Sequence, residues 1–113
     1  MWEYNPATEQ ICTRYDNATD PSRTISGPDN LVAAKSGDLF VCEDPGNVPS
    51  MELVLIEPDG TVSPFARIAG HAGSEIAGVA FTGAGTRMYF SSQRGAGLGI
   101  TYEVSGPFRT TAS

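Results

Sequence analysis

Apolar positions recur along this chain in runs of four to seven, each bounded by Gly, Pro, Asn or Asp. An amphipathic helix would repeat them every third or fourth position over ten or more residues, and no stretch does so. Short runs with this punctuation predict strands. The first is Trp2 to Asn5, followed by the turn Asn5-Pro6-Ala7-Thr8 and a second run from Gln10 to Tyr15. Residues 16–28 are polar and read as a loop. Four more strands follow, at Asn30 to Ala34, Asp38 to Glu43, Glu52 to Glu57 and Thr61 to Ile68. Lys35-Ser36-Gly37, residues 44–50 and Pro58-Asp59-Gly60 separate them. In such turns Pro sets φ, Asp bonds the local backbone and Gly takes a left-handed conformation. The pattern resumes at Gly78 to Phe81, Arg87 to Ser91 and Gly99 to Val104. The expected class is all-β and antiparallel.

An internal repeat sharpens this expectation. Asn30-Leu31-Val32-Ala33-Ala34-Lys35-Ser36-Gly37 aligns with Gly78-Val79-Ala80-Phe81-Thr82-Gly83-Ala84-Gly85. After one extra residue, Leu39-Phe40-Val41-Cys42 meets Met88-Tyr89-Phe90-Ser91. A period of about 45–50 residues holding four short strands is the signature of a β-propeller blade. One blade cannot cover both its faces, so blades stack around an axis. The chain then holds about two four-stranded blades in a single partial unit, 1–113. Residues 30–68 form one blade, 76–108 most of a second, and 2–15 the two outer strands of a preceding one. Propellers need four or more blades, so the ring is incomplete within one chain.

Composition narrows the function classes. Seven basic residues stand against 13 acidic, a net charge of −6. An acidic chain without a Lys/Arg cluster is a poor electrostatic partner for nucleic acid or anionic lipid. The longest apolar runs, such as Leu53 to Ile56, fall far short of the ~20 residues of a membrane helix. Met1-Trp2-Glu3-Tyr4 has neither a basic nor an apolar segment of a secretory signal. Cys12 and Cys42 lie in apolar strand runs and read as unpaired, buried structural thiols.

The candidate chemistry is carboxylate chemistry. Asp29-Asn30 opens one inner strand, Glu43-Asp44 ends the next, and Glu75 precedes the inner strand of the following blade. Inner strands line a propeller's channel, so Asp29 and Glu75 are expected at one mouth. Hard oxygen ligands converging there suit Ca²⁺. The competing reading makes Asp29, Glu43 and Asp44 turn formers or solvated charges. Arg94, beside Gly95-Ala96-Gly97-Leu98-Gly99, is a weak candidate for holding an anion. That glycine run lacks the Gly-Lys-Ser/Thr ending of a phosphate loop and reads as a β-loop. His71, the one histidine, lies in a small-residue loop and reads as solvated. Trp2, Tyr4, Phe40, Tyr89, Phe90 and Tyr102 fall on strands and read as packing residues.

Several of these segments together resemble a known family. Gly27-Pro28-Asp29-Asn30-Leu31-Val32, Gly37-Asp38-Leu39-Phe40-Val41-Cys42-Glu43-Asp44 and Ser74-Glu75-Ile76-Ala77-Gly78-Val79-Ala80-Phe81 resemble the late propeller segment of PhoX-type alkaline phosphatases. So do Pro64-Phe65-Ala66-Arg67 and the closing stretch from Gly99 to Phe108. The resemblance implies a propeller phosphomonoesterase with calcium and iron at the channel mouth, acting as Lewis acids on phosphoryl oxygens. It makes Glu75 the leading metal ligand, followed by Asp29, Asn30, Glu43 and Asp44. It also implies a bacterial periplasmic or secreted setting. The family's enzymes are several times longer, and their iron-binding cysteine and further carboxylates come from earlier segments. Pro45 follows Glu43-Asp44 where the family has Gly, and Thr82-Gly83-Ala84-Gly85 replaces its usual Ser-Pro-Asp-Gly turn.

The first functional expectation is therefore a fragment or truncated relative of such a phosphatase, inactive alone, whose partner is a larger N-terminal part. A second is a non-catalytic module that closes a six-bladed ring from three copies and binds a small polar ligand or sugar. A third is a propeller resembling sugar-lactone hydrolases, because blade consensus mainly records packing.

Overall fold

The computed structural model describes residues 1–19, 25–44, 51–71 and 73–111. Among them the expected strands form, with boundaries shifted by one or two residues. They are β1 (Trp2–Asn5), β2 (Gln10–Thr13), β3 (Pro28–Ala33), β4 (Leu39–Glu43), β5 (Met51–Ile56), β6 (Val62–Ile68), β7 (Ile76–Phe81), β8 (Arg87–Ser92) and β9 (Ile100–Ser105). A single 3-10 turn, Gly95–Gly97, links β8 to β9. The expected loop over 16–28 is described except at 20–24, and that over 44–50 lies outside the described residues beyond Asp44.

Turn chemistry sets the hairpins. Gly37 (φ 87°) and Gly85 (φ 74°) occupy equivalent left-handed positions. The Gly37 N–H donates to Ala34 O at 3.0 Å, and the Gly85 N–H to Thr82 O at 2.8 Å. Both copies of the repeat also carry a register shift, one position apart in the alignment, between Pro28 and Leu31 in β3 and between Ala77 and Ala80 in β7. The internal repeat is thus a structural one.

The chain is all-β, with antiparallel sheets β1-β2, β3-β4-β5-β6 and β7-β8-β9, and no sheet closes on itself. Side-chain alternation divides the four-stranded sheet into two buried faces. Phe40, Cys42, Met51 and Leu53 meet Ile76, Val79, Met88 and Phe90 of the three-stranded sheet. Val41, Val54, Ile56 and Val62 pack instead with Tyr15 and Ile25, from the segment that follows the β1-β2 hairpin. Strand β7 lies against β3, β4 and β5. Phe108, beyond β9, reaches back into the seam between sheets, 5.0 Å from Phe81 and 6.1 Å from Phe40 between ring centroids.

Three packing expectations on the first hairpin are corrected. Trp2 is 71% and Tyr4 59% exposed, and Cys12 is exposed too. The reason is common to all three: among the described residues nothing covers either face of the two-stranded hairpin, and every position of β1 and β2 is exposed. Phe40 and Phe90 are buried as expected, and Tyr102 packs against the same core. Tyr89 faces the other way. Its hydroxyl donates to Glu103, beside an Arg87–Glu103 ion pair at 3.6 Å and a Ser91–Thr101 hydrogen bond at 2.9 Å. The outer face of the three-stranded sheet is therefore polar.

Candidate carboxylate site

The carboxylates separate by the parity of strand β4. Phe40 and Cys42 face the three-stranded sheet, while Val41 faces the opposite way. Glu43 follows Val41. It is buried, and its Oε1 accepts the Ser26 N–H at 2.9 Å. That bond ties the strand to the incoming loop and removes Glu43 from the expected cluster. Asn30 is also engaged, because its Oδ1 accepts the Gly78 N–H at 2.9 Å. It joins β3 to β7.

Asp29 and Asp44 lie near enough to Glu75 to act on its carboxyl. Burial pushes the Glu75 carboxyl above its ordinary value, and the carboxylates of Asp44 and Asp29, with a hydrogen bond between Glu75 and Asp29, push it the same way. Arg94 opposes them, its Nη1 lying 3.6 Å from Glu75 Oε2. Arg94 is itself half exposed and anchored by a bond from Nε to Gly73 O at 2.9 Å. Asp44 owes its place to a close backbone approach. Its N–H donates to Gly27 O at 2.8 Å, and a Cβ at Gly27 would sit 2.2 Å from Asp44 O. Gly27 also has φ 57°. We expect Gly27→Ala to lose about 1–3 kcal/mol of stability in urea unfolding and to displace the Asp44 amide signal in an NMR spectrum.

Cys42 faces the core within electrostatic reach of Asp29 and Glu75. Burial raises its thiol pKa to about 11, and the charges of Asp29 and Glu75 add to the effect while a backbone hydrogen bond with Val79 offsets part of it. It is fully buried, whereas Cys12 is exposed, and neither forms a disulfide. The native chain is expected to react with one equivalent of Ellman's reagent at neutral pH, at Cys12, and the denatured chain with two. Rapid reaction of both thiols in the native state would contradict this packing.

His71 departs from its expectation. It is half-buried, with Nδ1 hydrogen-bonded to Ser92 Oγ at 2.9 Å and Nε2 3.4 Å from the Tyr102 hydroxyl. Ser92 Oγ bonds Ser74 Oγ at 2.7 Å, and Ser74 Oγ accepts the Arg94 N–H at 2.9 Å. Both serines are almost completely buried, so neither hydroxyl is open to a substrate. The network holds the loop before Glu75 against the end of β8. Gly95 is required beside it, because a Cβ there would lie 2.7 Å from the imidazole. In the glycine run, the N–H groups of Gly97, Leu98 and Gly99 are bonded to Arg94 O and Gly95 O, which leaves none of these three to cradle an anion. The sequence offered no signal for Ser92 or Tyr102 as partners of His71, since the contacts span 21 and 31 residues.

No family model, curated protein or solved structure matches this chain.

Proposed function

We propose that this chain is about two blades of a β-propeller of PhoX-like descent, contributing part of a cation site and hydrolysing no phosphomonoester by itself. The observation that supports this reading is the nearness of Asp29 and Asp44, from two strand ends of one sheet, to Glu75 before the next, with the Glu75 carboxyl raised by burial and then by these neighbours. Carboxylates crowded in this way favour a bound cation, and all-oxygen donors suit Ca²⁺. The donor chemistry fits calcium, but the set is partial. Glu43 and Asn30 are committed to backbone groups, and no group of three or more His, Cys, Asp or Glu among the described residues is arranged to hold a metal ion. The remaining calcium and iron ligands belong, on this reading, to a larger N-terminal part or to further blades. In the completed site the metals would supply Lewis-acid stabilisation of phosphoryl oxygens. The residues of this chain hold negative charge at one end of the sheets, with Arg94 beside it.

The test is twofold. Millimolar Ca²⁺ is expected to raise the melting temperature of the wild-type chain and to leave Glu75→Gln unmoved. p-Nitrophenyl phosphate should not turn over with Ca²⁺ and iron added. Turnover by the isolated chain would show that the ligand set is complete, and an equal calcium response in Glu75→Gln would remove Glu75 from the site.

A further inference from the structure

We infer that the β1-β2 hairpin of one copy of this chain adds to the free edge of β9 in a second copy, extending the three-stranded sheet. The inference is independent of the phosphatase reading. It begins with two incomplete elements. The four-stranded sheet ends its repeat with β6, whereas the sheet built from the second copy of the repeat stops at β9. The main-chain groups on the far side of β9 pair with no strand among those described, and such an edge templates further pairing.

The hairpin is the complementary piece. Two strands alone are marginally stable in water. In its register Tyr4 lies opposite Ile11 and Trp2 opposite Thr13, so one face carries Trp2, Tyr4 and Ile11. These residues are 71%, 59% and 64% exposed. The other face carries Glu3, Asn5, Gln10 and Cys12. This is the alternation of a ribbon with one face intended for burial. The receiving sheet has the same polarity. Tyr102 and Val104 of β9, with Phe65 and Ile68 of β6, are only partly buried at the margin of the core, and Thr101 and Glu103 lie on the polar outer side. A hairpin that continues β9 with its apolar face inward extends both rows.

Charge chooses the strand. β1 carries Glu3, while β2 is uncharged and followed by Arg14. Only β2 can lie beside Glu103 without placing like charges on adjacent strands. Topology decides that the donor is another copy. Tyr15 and Met1, which flank the hairpin, pack on the face of the four-stranded sheet opposite the one that meets β9.

Light scattering of the full chain should give a mass at least twice 11.9 kDa. Ile11→Lys, at an exposed position, should return it to one chain with an unchanged circular dichroism spectrum. A short bis-maleimide should join Cys12 of one chain to Thr101→Cys of another, and Cys12→Ser should abolish that link. A wild-type chain that is monomeric at all concentrations overturns the inference. So does an oligomer that survives Ile11→Lys or gives no such link.

Discussion

Phe40→Ala is expected to lose about 3–5 kcal/mol of stability, the cost of an aromatic truncation in a core that cannot collapse around the gap. Phe40 is 3% exposed on β4, and three rings converge on it. Phe65 lies 4.9 Å away between centroids, Phe81 5.4 Å and Phe108 6.1 Å, each near edge-to-face. Phe65 comes from β6, Phe81 from β7 and Phe108 from the segment after β9. The cluster therefore ties both larger sheets and the segment after β9 to one side chain. Such pairs add about 0.5–1.5 kcal/mol each beyond buried area. Urea unfolding followed by circular dichroism measures the loss. Leu98→Ala is the control, because a side chain 95% exposed should change stability by no more than about 0.5 kcal/mol. A loss below about 1 kcal/mol for Phe40→Ala would show that the sheets are joined by something other than this cluster.

The strands were legible because each is a short apolar run closed by a residue with its own turn chemistry. The repeat was legible for the same reason: its two hairpin glycines recur in step, and its two register shifts fall one position apart. The division of β4 was hidden. A strand buried on both faces reads as a continuous apolar run, so nothing in Leu39 to Glu43 marks which side chains face which neighbour. Hence Glu43 and Asp44, adjacent in sequence, were grouped together although the strand sends them to different partners. The hairpin failed differently: its alternation is that of a half-buried ribbon, but no sheet among the described residues covers it. The nearness of Asp29 to Glu75 has a source in the repeat, because both residues lie at the start of the first strand of their sheets. His71 and Ser92 have no such relation. Their pairing depends on how the loop after β6 returns to the end of β8, which local propensity does not encode.

Asp38→Asn is expected to lose about 2–3 kcal/mol at neutral pH and to remove a step in the acid unfolding of the chain. Asp38 follows the turn that joins β3 to β4. Its carboxylate is buried, accepts the Ser36 hydroxyl at 2.7 Å and receives Nε of Arg109 at 3.0 Å, with a second guanidinium nitrogen on its other oxygen. Arg109 also meets Glu57 at 3.2 Å, so it pins the end of the chain across the four-stranded sheet, next to Phe108 in the aromatic seam. The hydrogen bond from Arg109 holds the Asp38 carboxyl below its ordinary value of 3.8; burial works against this, and the Ser36 bond and the Arg109 charge reinforce it. Because the folded value is depressed, the native state binds this proton less readily than the unfolded chain. The stabilisation is therefore fully present above about pH 4 and is lost as pH falls through the lower, folded value. Unfolding free energies of the wild type should decline over that acid range, and Asp38→Asn should start lower and decline less. Arg109→Gln should flatten the same part of the profile while leaving Asp38 in place. If Arg109→Gln keeps the wild-type acid dependence, the guanidinium is not what depresses Asp38, and the Ser36 hydroxyl is left as the group that does.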